Sequence, residues 1–208
     1  PEIRRFLERM GSGKIKELFV AETYSDELQI AIDQTVEAYE SLSRDKVGAL
    51  IVFERKNLLD DVLKTGTPLD ARMASELLKN LFWNKAPLHD GAVIVRNGRI
   101  IGAGCMLPMS GNVNLSKDLG MRHRAAIGIS ENSDAVAAVV SEETGSISVA
   151  VNGMLKRHLT PETLERLLKS ELMPDQEEKK NTTAAGLLGS MLKGKRGEKG
   201  NGKENSGQ

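Results

Sequence analysis

Apolar residues along this chain alternate between helical spacing and strand-like runs. In "SDELQIAIDQTVEAYESLSRD", Leu28, Ile32, Val36 and Leu42 recur near helical spacing behind Ser25 and Asp26, which are suited to N-capping. That stretch predicts a helix from Ser25 to about residue 45. "VGALIVFE", residues 47–54, is nearly continuous in apolar, β-branched side chains, the pattern of a central strand covered on both faces. Helical spacing returns in "PLDARMASELLKNLFW" through Met73, Leu77, Leu78 and Leu81, predicting a helix over 68–83 that ends at Trp83 as a core residue. In "GAVIVRNGRIIGAGCML" two apolar runs meet at Asn97-Gly98, and because both residues tolerate positive φ the pair predicts a tight hairpin. A polar loop over 108–119 leads into a helix at Met121, and "DAVAAVVSEETGSISVAVNG" predicts a second strand pair turned at Thr144-Gly145. "TPETLERLLKSEL" is a helix with Thr160 as N-cap and Pro161 in its first turn, although Thr163 stands where a capping box needs Glu or Gln.

The order is helix, strand, helix, hairpin, helix, hairpin, helix. Antiparallel neighbours interleaved with helices predict an α/β fold: a single mixed-direction twisted β-sheet flanked by helices. No internal repeat is present. At the start, "PEIRRFLERMG" predicts a short charged helix ended by Gly11, with "GSGK" opening a linker. From residue 173 onward Lys, Glu, Gly and Asn dominate, which predicts a disordered tail with a weak helical patch at "AAGLLGSMLK". The chain divides accordingly into a helical linker (1–23), one folded domain (24–172) and a tail (173–208).

Composition narrows the chemistry. The 208 residues suffice for one domain with a real core. Lys plus Arg and Asp plus Glu number 29 each, so there is no general attraction to nucleic acid or an anionic membrane, and any anion site must be local. Aromatic residues make up 3%, too few for a base-stacking surface, which argues against a nucleic-acid-binding module. The single Cys105 excludes an internal disulfide framework and suits a reducing compartment; flanked by Ala103, Gly104 and Met106, it is expected to be a buried structural thiol. No stretch approaches the roughly 20 apolar residues that span a bilayer, and nothing at the start has the form of a signal peptide.

Three stretches carry chemistry. In "MRHRAAIGISE", 121–131, Arg122, His123 and Arg124 stand in succession at a predicted helix start. Consecutive helical side chains point about 100° apart, but at an N-terminus they can fan around a phosphate that also meets unpaired N–H groups and the positive dipole end. A charged helix start exposed to water is the alternative. In "PLHDGAVIV", 87–95, His89 and Asp90 stand at the entry of an apolar strand, with Gly91 and Ala92 leaving room for close approach to the backbone. An ordinary turn fits the same residues. In "VSEETG", 140–145, a strand runs into Ser141, Glu142 and Glu143, either a solvated turn or a carboxylate site. Together the three supply a hydroxyl, carboxylates, an imidazole and two guanidiniums, an inventory suited to metal-assisted reaction at a phosphate. No Walker loop, G-x-G-x-x-G, nucleophile elbow or Cys/His zinc spacing is present.

"DGA" at 90–92, "RHRAA" at 122–126 with "GISE" after it, and "SEETG" at 141–145, in this order and spacing, resemble the diadenylate cyclase domain. The resemblance runs from about residue 24 to 170. It implies the fold of that domain and the condensation of two ATP into 3′,5′-linked cyclic di-AMP with release of two pyrophosphates. It implies that Asp90 acts near the attacking 3′-hydroxyl, and that His89, Asp90 and Glu143 hold Mn²⁺, Mg²⁺ or Co²⁺. By the same resemblance Arg122, His123 and Arg124 grip the triphosphate, while Gly91, Ala92, Met106, Leu107, Met121, Ser141 and Glu143 line the ATP pocket. Met106 and Met121 depart from the aromatic and the small hydroxyl residue of some relatives, and methionine can still pack on a purine.

Each ATP must present its 3′-hydroxyl to the α-phosphorus of the other, in line, which one pocket cannot do. A face-to-face homodimer can. "PEIRRFLERMG" resembles the segment after the membrane helices in the membrane-anchored type, which implies that this chain is the cytosolic part of a protein held at the cytoplasmic face of the cell membrane. A membrane-bound regulatory protein and a phosphoglucosamine mutase are the partners the resemblance suggests. A catalytically silent ATP or cyclic-dinucleotide sensor of the same fold is the alternative, though it should lack part of the arginine pair or the aspartate. A metal phosphohydrolase built on His89-Asp90 would need further histidines on helices, where only His123 and His158 remain.

Overall fold

The computed structural model describes residues 14–112, 116 and 119–173. The short helix expected over 1–11 and the tail from 174 with its "AAGLLGSMLK" patch lie outside the described residues.

Helix α1 (Lys14–Arg44) leads into β1 (Ala49–Phe53), the short α2 (Asp60–Leu63), β2 (Thr67–Arg72) and α3 (Ser75–Phe82). The hairpin β3 (Ala92–Arg96) and β4 (Arg99–Cys105) follows, then α4 (Met121–Asn132), β5 (Val136–Val140), β6 (Ile147–Val151), β7 (Met154–Leu159) and α5 (Pro161–Leu172). The strands form one seven-stranded sheet in the order β2-β4-β3-β1-β5-β6-β7. This is the mixed α/β sheet expected, since β1 runs parallel to β3 and antiparallel to β5. All five β1 residues are buried, as a run apolar on both faces demands. Leu50 and Val52 pack with Ala126, Ile127 and Ile129 of α4 on one face. Ala49, Ile51 and Phe53 point to the other, where α1 packs against α3 and α5.

The α1 contact is fastened by a tyrosine. Tyr39 is fully buried; its hydroxyl accepts the Ile51 N–H at 3.2 Å and donates to the Ala138 carbonyl at 2.8 Å. Ile51 and Ala138 are register partners of β1 and β5, so the hydroxyl sits within the ladder between the two strands. Burial drives the Tyr39 pKa well above its ordinary value, which keeps the hydroxyl neutral and able to serve both strands.

Several expected boundaries moved, each for a local reason. The helix predicted from Ser25 begins at Lys14, so Ser25 and Asp26 are interior residues and not caps. No Gly or Pro stands between Lys14 and Ser25, and a Ser-Asp pair costs a helix only about 1 kcal/mol relative to alanines. The helix predicted over 68–83 is only Ser75–Phe82, because residues 67–72 form the edge strand β2 against β4. Leu69 and Ala71 alternate with exposed neighbours there, and a proline near the start of an edge strand costs no needed hydrogen bond. Trp83, expected in the core, is 61% exposed, since Phe82 takes the buried position and the backbone leaves the helix at Trp83.

The hairpin at Asn97-Gly98 forms as expected, with φ of 52° and 78°. Asn152-Gly153 repeats the same signal with φ of 50° and 75° and turns the chain into β7, a strand the apolar pattern had not disclosed. Thr160 caps α5 through a bond from the Thr163 N–H to its hydroxyl at 3.3 Å. Cys105 is buried, and desolvation raises its pKa, consistent with an inert thiol.

Candidate active site

Topology brings the three chemically loaded stretches to one end of the sheet. Ile51 pairs with Val93 in parallel and Ala49 with Val140 in antiparallel register, so the entries of β1 and β3 and the exit of β5 share an edge. Gly48, the His89-Asp90-Gly91 stretch and Ser141-Glu142-Glu143 meet there, and the first turn of α4 arrives above them. The end of α1 steadies the turn after β5, with Ser43 Oγ donating to the Gly145 carbonyl at 2.6 Å.

Arg122 lies across this end. Its Nη1 pairs with Glu142 Oε2 at 2.6 Å, its Nη2 reaches the His89 carbonyl at 3.5 Å, and its buried Nε has no hydrogen-bond partner among the described residues. A buried guanidinium nitrogen without an acceptor is unusual and marks a place where an oxygen is wanted. Gly48 makes the placement possible: a Cβ there would stand 2.6 Å from Arg122 Nη1 and 2.9 Å from its Cζ. Arg122 and Glu142 together separate two hollows. One, about 310 Å³, is bordered by Lys46, Gly48, Asn84 and His89; the smaller one runs along Gly120, Met121, His123, Ser141 and Glu143 at the start of α4. The N-cap Gly120 offers no side-chain cap to that helix end; its carbonyl accepts the His123 N–H at 3.1 Å, and the positive end of the α4 dipole borders the smaller hollow.

The triplet does not fan around one point. His123 is 6% exposed, with Nε2 at 3.4 Å from Ser148 Oγ on β6. Its burial, reinforced by the nearby Arg157 charge, holds its pKa below the ordinary value, so at neutral pH it is an uncharged ring. Arg124 Nε donates to the Leu119 carbonyl at 3.2 Å and Nη2 to Ser116 O at 3.5 Å, away from the partners of Arg122.

Of the other residues singled out, Met121, Ser141 and Glu143 line the smaller hollow with Arg122 and His123. Met106 and Met121 are 62% and 77% exposed, open to a ligand from outside. Leu107 is half-buried against the core. Gly91 and Ala92 serve packing first: Ala92 is fully buried, and the space beside Gly91, whose φ is 102°, is filled by the β4 backbone, with Gly104 C 2.7 Å from where a Cβ would be. The room that these small residues provide is therefore taken by a neighbouring strand.

His89 Nδ1 lies 2.6 Å from the Ala86 carbonyl, to which it donates, and this frees Nε2 as an acceptor or ligand. Even so, His89, Asp90 and Glu143 do not form a metal centre within one chain: among the described residues no three His, Cys, Asp or Glu side chains converge. The reason is the strand order. The entry of β3 and the exit of β5 are separated by β1, about 10 Å at the usual strand spacing, and Arg122 occupies the gap.

Gly48 escaped the sequence reading, and Glu142, named there only as one of a carboxylate pair, was not distinguished from Glu143 as the partner of Arg122. Glu142 differs from Glu143 only in where the turn aims it, and Gly48 matters only because Arg122, 74 positions away in sequence, crosses it. No local signal separates either from its neighbours.

Residues 36–155 match the family model described as DAC, DisA bacterial checkpoint controller nucleotide-binding. The chain belongs to this family. It is 44% identical to the protein named cyclic di-AMP synthase CdaA of Bacillus subtilis over 88% of this chain and 64% of that one. It is 42% identical to a protein named diadenylate cyclase of Listeria monocytogenes over 83% of this chain and 63% of the relative. The chain thus spans somewhat less than two thirds of these DAC relatives. Among solved structures, DacA from Staphylococcus aureus superposes with a TM-score of 0.67 at 43% identity, covering 69% of this chain and 95% of that one. A protein described as a hypothetical membrane spanning protein from Bacillus cereus gives a TM-score of 0.59 at 46% identity, covering 61% and 62%. Among the described residues of this chain no helix is long and apolar enough to cross a membrane.

Proposed function

We propose that this chain is the catalytic part of a diadenylate cyclase, condensing two ATP into cyclic di-AMP. The observation that carries the reading is the orphaned, buried Nε of Arg122 at the sheet end where Asp90, Ser141 and Glu143 also stand, in a DAC-family chain. A phosphate oxygen would supply the missing acceptor, and the Arg122–Glu142 pair, exposed on its glutamate side, can yield to it. His123 supports the first turn of α4 as a neutral ring and adds no positive charge of its own.

In the reaction each 3′-oxygen forms a bond to the other nucleotide's α-phosphorus while the α–β P–O bond breaks. Two phosphodiester bonds form, and two pyrophosphates and two protons leave. Asp90, exposed at the strand entry, accepts the hydroxyl proton. Arg122 and the α4 N-terminus stabilise charge on the departing pyrophosphate. Because each chain presents one such sheet end, the two nucleotides meet only when two copies face each other, and that dimer is part of the proposal. A divalent cation is the expected cofactor of this chemistry. His89, Asp90 and Glu143 do not converge within one chain, so these three alone would not hold it. Anchoring of the full-length protein at the cytoplasmic face of a membrane is also proposed, supported by the similarity to the Bacillus cereus protein described as membrane spanning.

The test is to incubate the chain with ATP and Mn²⁺, Mg²⁺ or Co²⁺ in turn, at protein concentrations that force dimers, and to follow nucleotides by chromatography and mass spectrometry. Cyclic di-AMP with two pyrophosphates per product is expected. ATP bound but intact with every metal would replace the cyclase by a sensor.

A further inference from the structure

The three charged or titratable residues of the triplet have different commitments, and those of Arg124 are all structural. Its backbone carbonyl accepts the Ser110 N–H at 3.1 Å. Its guanidinium donates to the Leu119 carbonyl at 3.2 Å and to Ser116 O at 3.5 Å, and Ser116 O also accepts the Leu119 N–H at 3.2 Å. One residue therefore bonds to Ser110 through its backbone and to Ser116 and Leu119 through its side chain. Each attachment is anchored further: Ser110 is buried and its Oγ donates to Glu131 Oε1 at 2.8 Å, Leu119 is 7% exposed in the core, and the Pro108 carbonyl rests against Gly128, where any side chain would collide with it. Arg122 is the opposite case, with an unpartnered Nε and an exposed carboxylate as its counterion.

We propose that Arg124 is a positioning residue and not a phosphate ligand: its fork fastens Ser116 and Leu119 to the first turn of α4 and thereby sets Gly120 and Met121 at the edge of the nucleotide cleft. The proposal rests on the reading of that cleft as a nucleotide site. Turning Arg124 toward a phosphate would take its donor from the Leu119 carbonyl and one of two donors from Ser116 O, and so loosen the residue that leads into the helix, whereas Arg122 needs only to exchange one oxygen for another. Lysine cannot replace Arg124, because a single ammonium on a flexible stem lacks the planar fork that bonds two carbonyls at once.

Two measurements on Arg124→Ala, Arg124→Lys and Arg122→Ala test this. The first is amide hydrogen exchange at Leu119 in nucleotide-free protein. Exchange is expected to rise roughly tenfold or more in both Arg124 variants, as for loss of one or more structural hydrogen bonds, and to stay at the parent rate in Arg122→Ala. The second is an NMR titration with ATP and with adenosine, which lacks the phosphates. Arg122→Ala should weaken ATP about tenfold or more, the worth of a charge-assisted contact, and leave adenosine unchanged; both Arg124 variants should weaken the two ligands by a common factor. Unchanged Leu119 protection in the Arg124 variants overturns the proposal whatever the nucleotides do. So does a loss in Arg124→Ala confined to ATP and rescued by lysine, which is the behaviour of a phosphate ligand. Should the parent chain bind neither ligand, the nucleotide reading of the cleft fails, while the exchange rates still decide whether Arg124 fastens this stretch. If Arg124→Ala does not fold, Arg124→Lys carries the same readouts.

Discussion

Replacing Gly48 by Ala tests the role of Arg122 without touching any group that could do chemistry. The added Cβ would stand 2.6 Å from Arg122 Nη1, 2.9 Å from Cζ and 3.1 Å from Glu142 Cβ. Ordinary contact needs about 3.4 Å or more, so the guanidinium must withdraw by most of an ångström. The backbone is under no such constraint, since Gly48 is not among the residues of positive φ. An alanine there narrows the unfolded ensemble by about 0.4–1 kcal/mol, while loss of the Arg122–Glu142 pair, whose glutamate is 65% exposed, costs at most about 1 kcal/mol. Unfolding stability is therefore expected to stay within about 1 kcal/mol of the parent. The cost falls on phosphate binding. A charge-assisted hydrogen bond is worth about 1.5–3 kcal/mol, so losing one raises the KM for ATP by roughly 10- to 150-fold. Urea unfolding and steady-state formation of cyclic di-AMP measure the two halves. A variant with parent-like KM would refute the reasoning, because Arg122 would then not need its place across the end of β1. A variant that fails to fold would refute it equally, since the site would be part of the structural core.

Three further outcomes follow from the same geometry. Tyr39→Phe leaves the Ile51 N–H and the Ala138 carbonyl without their shared hydroxyl; a loss of about 1–3 kcal/mol is expected in urea unfolding, and a variant as stable as the parent would mean that the two strands close directly. His123 has a folded pKa below its unfolded value near 6.5, because burial disfavours the charged ring. Between those two values the unfolded state binds more protons, so stability contributed by the neutral ring is complete above about pH 6.5 and declines as pH falls toward the folded pKa. Unfolding curves at about pH 7.5 and 5.5 should show a smaller decrease in His123→Gln than in the parent chain, and equal decreases would place the titration elsewhere. Asp90→Asn is expected to abolish product while ATP still binds, by titration calorimetry; turnover at the parent rate would remove Asp90 as the proton acceptor.

Where a single side-chain period governs an element, sequence alone disclosed it. The β1 run and the Asn97-Gly98 hairpin have local causes: apolar continuity for a strand covered on both sides, and two adjacent residues that tolerate positive φ. Edge strands hid because their exposure is mixed; β2 lay within a helical spacing, and β7 carries Lys156, Arg157 and His158 where a buried strand would carry apolar groups. The motifs at 90–92, 122–126 and 141–145 were likewise visible as types of residue, and so was the need for a local anion site in a chain without net charge. Their division of labour was not. Whether Arg122 or Arg124 faces the cleft, whether His123 is charged, and why Gly48 is a glycine depend on a sheet register that places the exit of β5 beside the entry of β1, and on the helix that crosses both. Sequence thus determined the periods and the chemical inventory, because those are properties of neighbours along the chain. Tertiary structure decided direction, burial and partnership, because each depends on residues that are neighbours only once the sheet has formed.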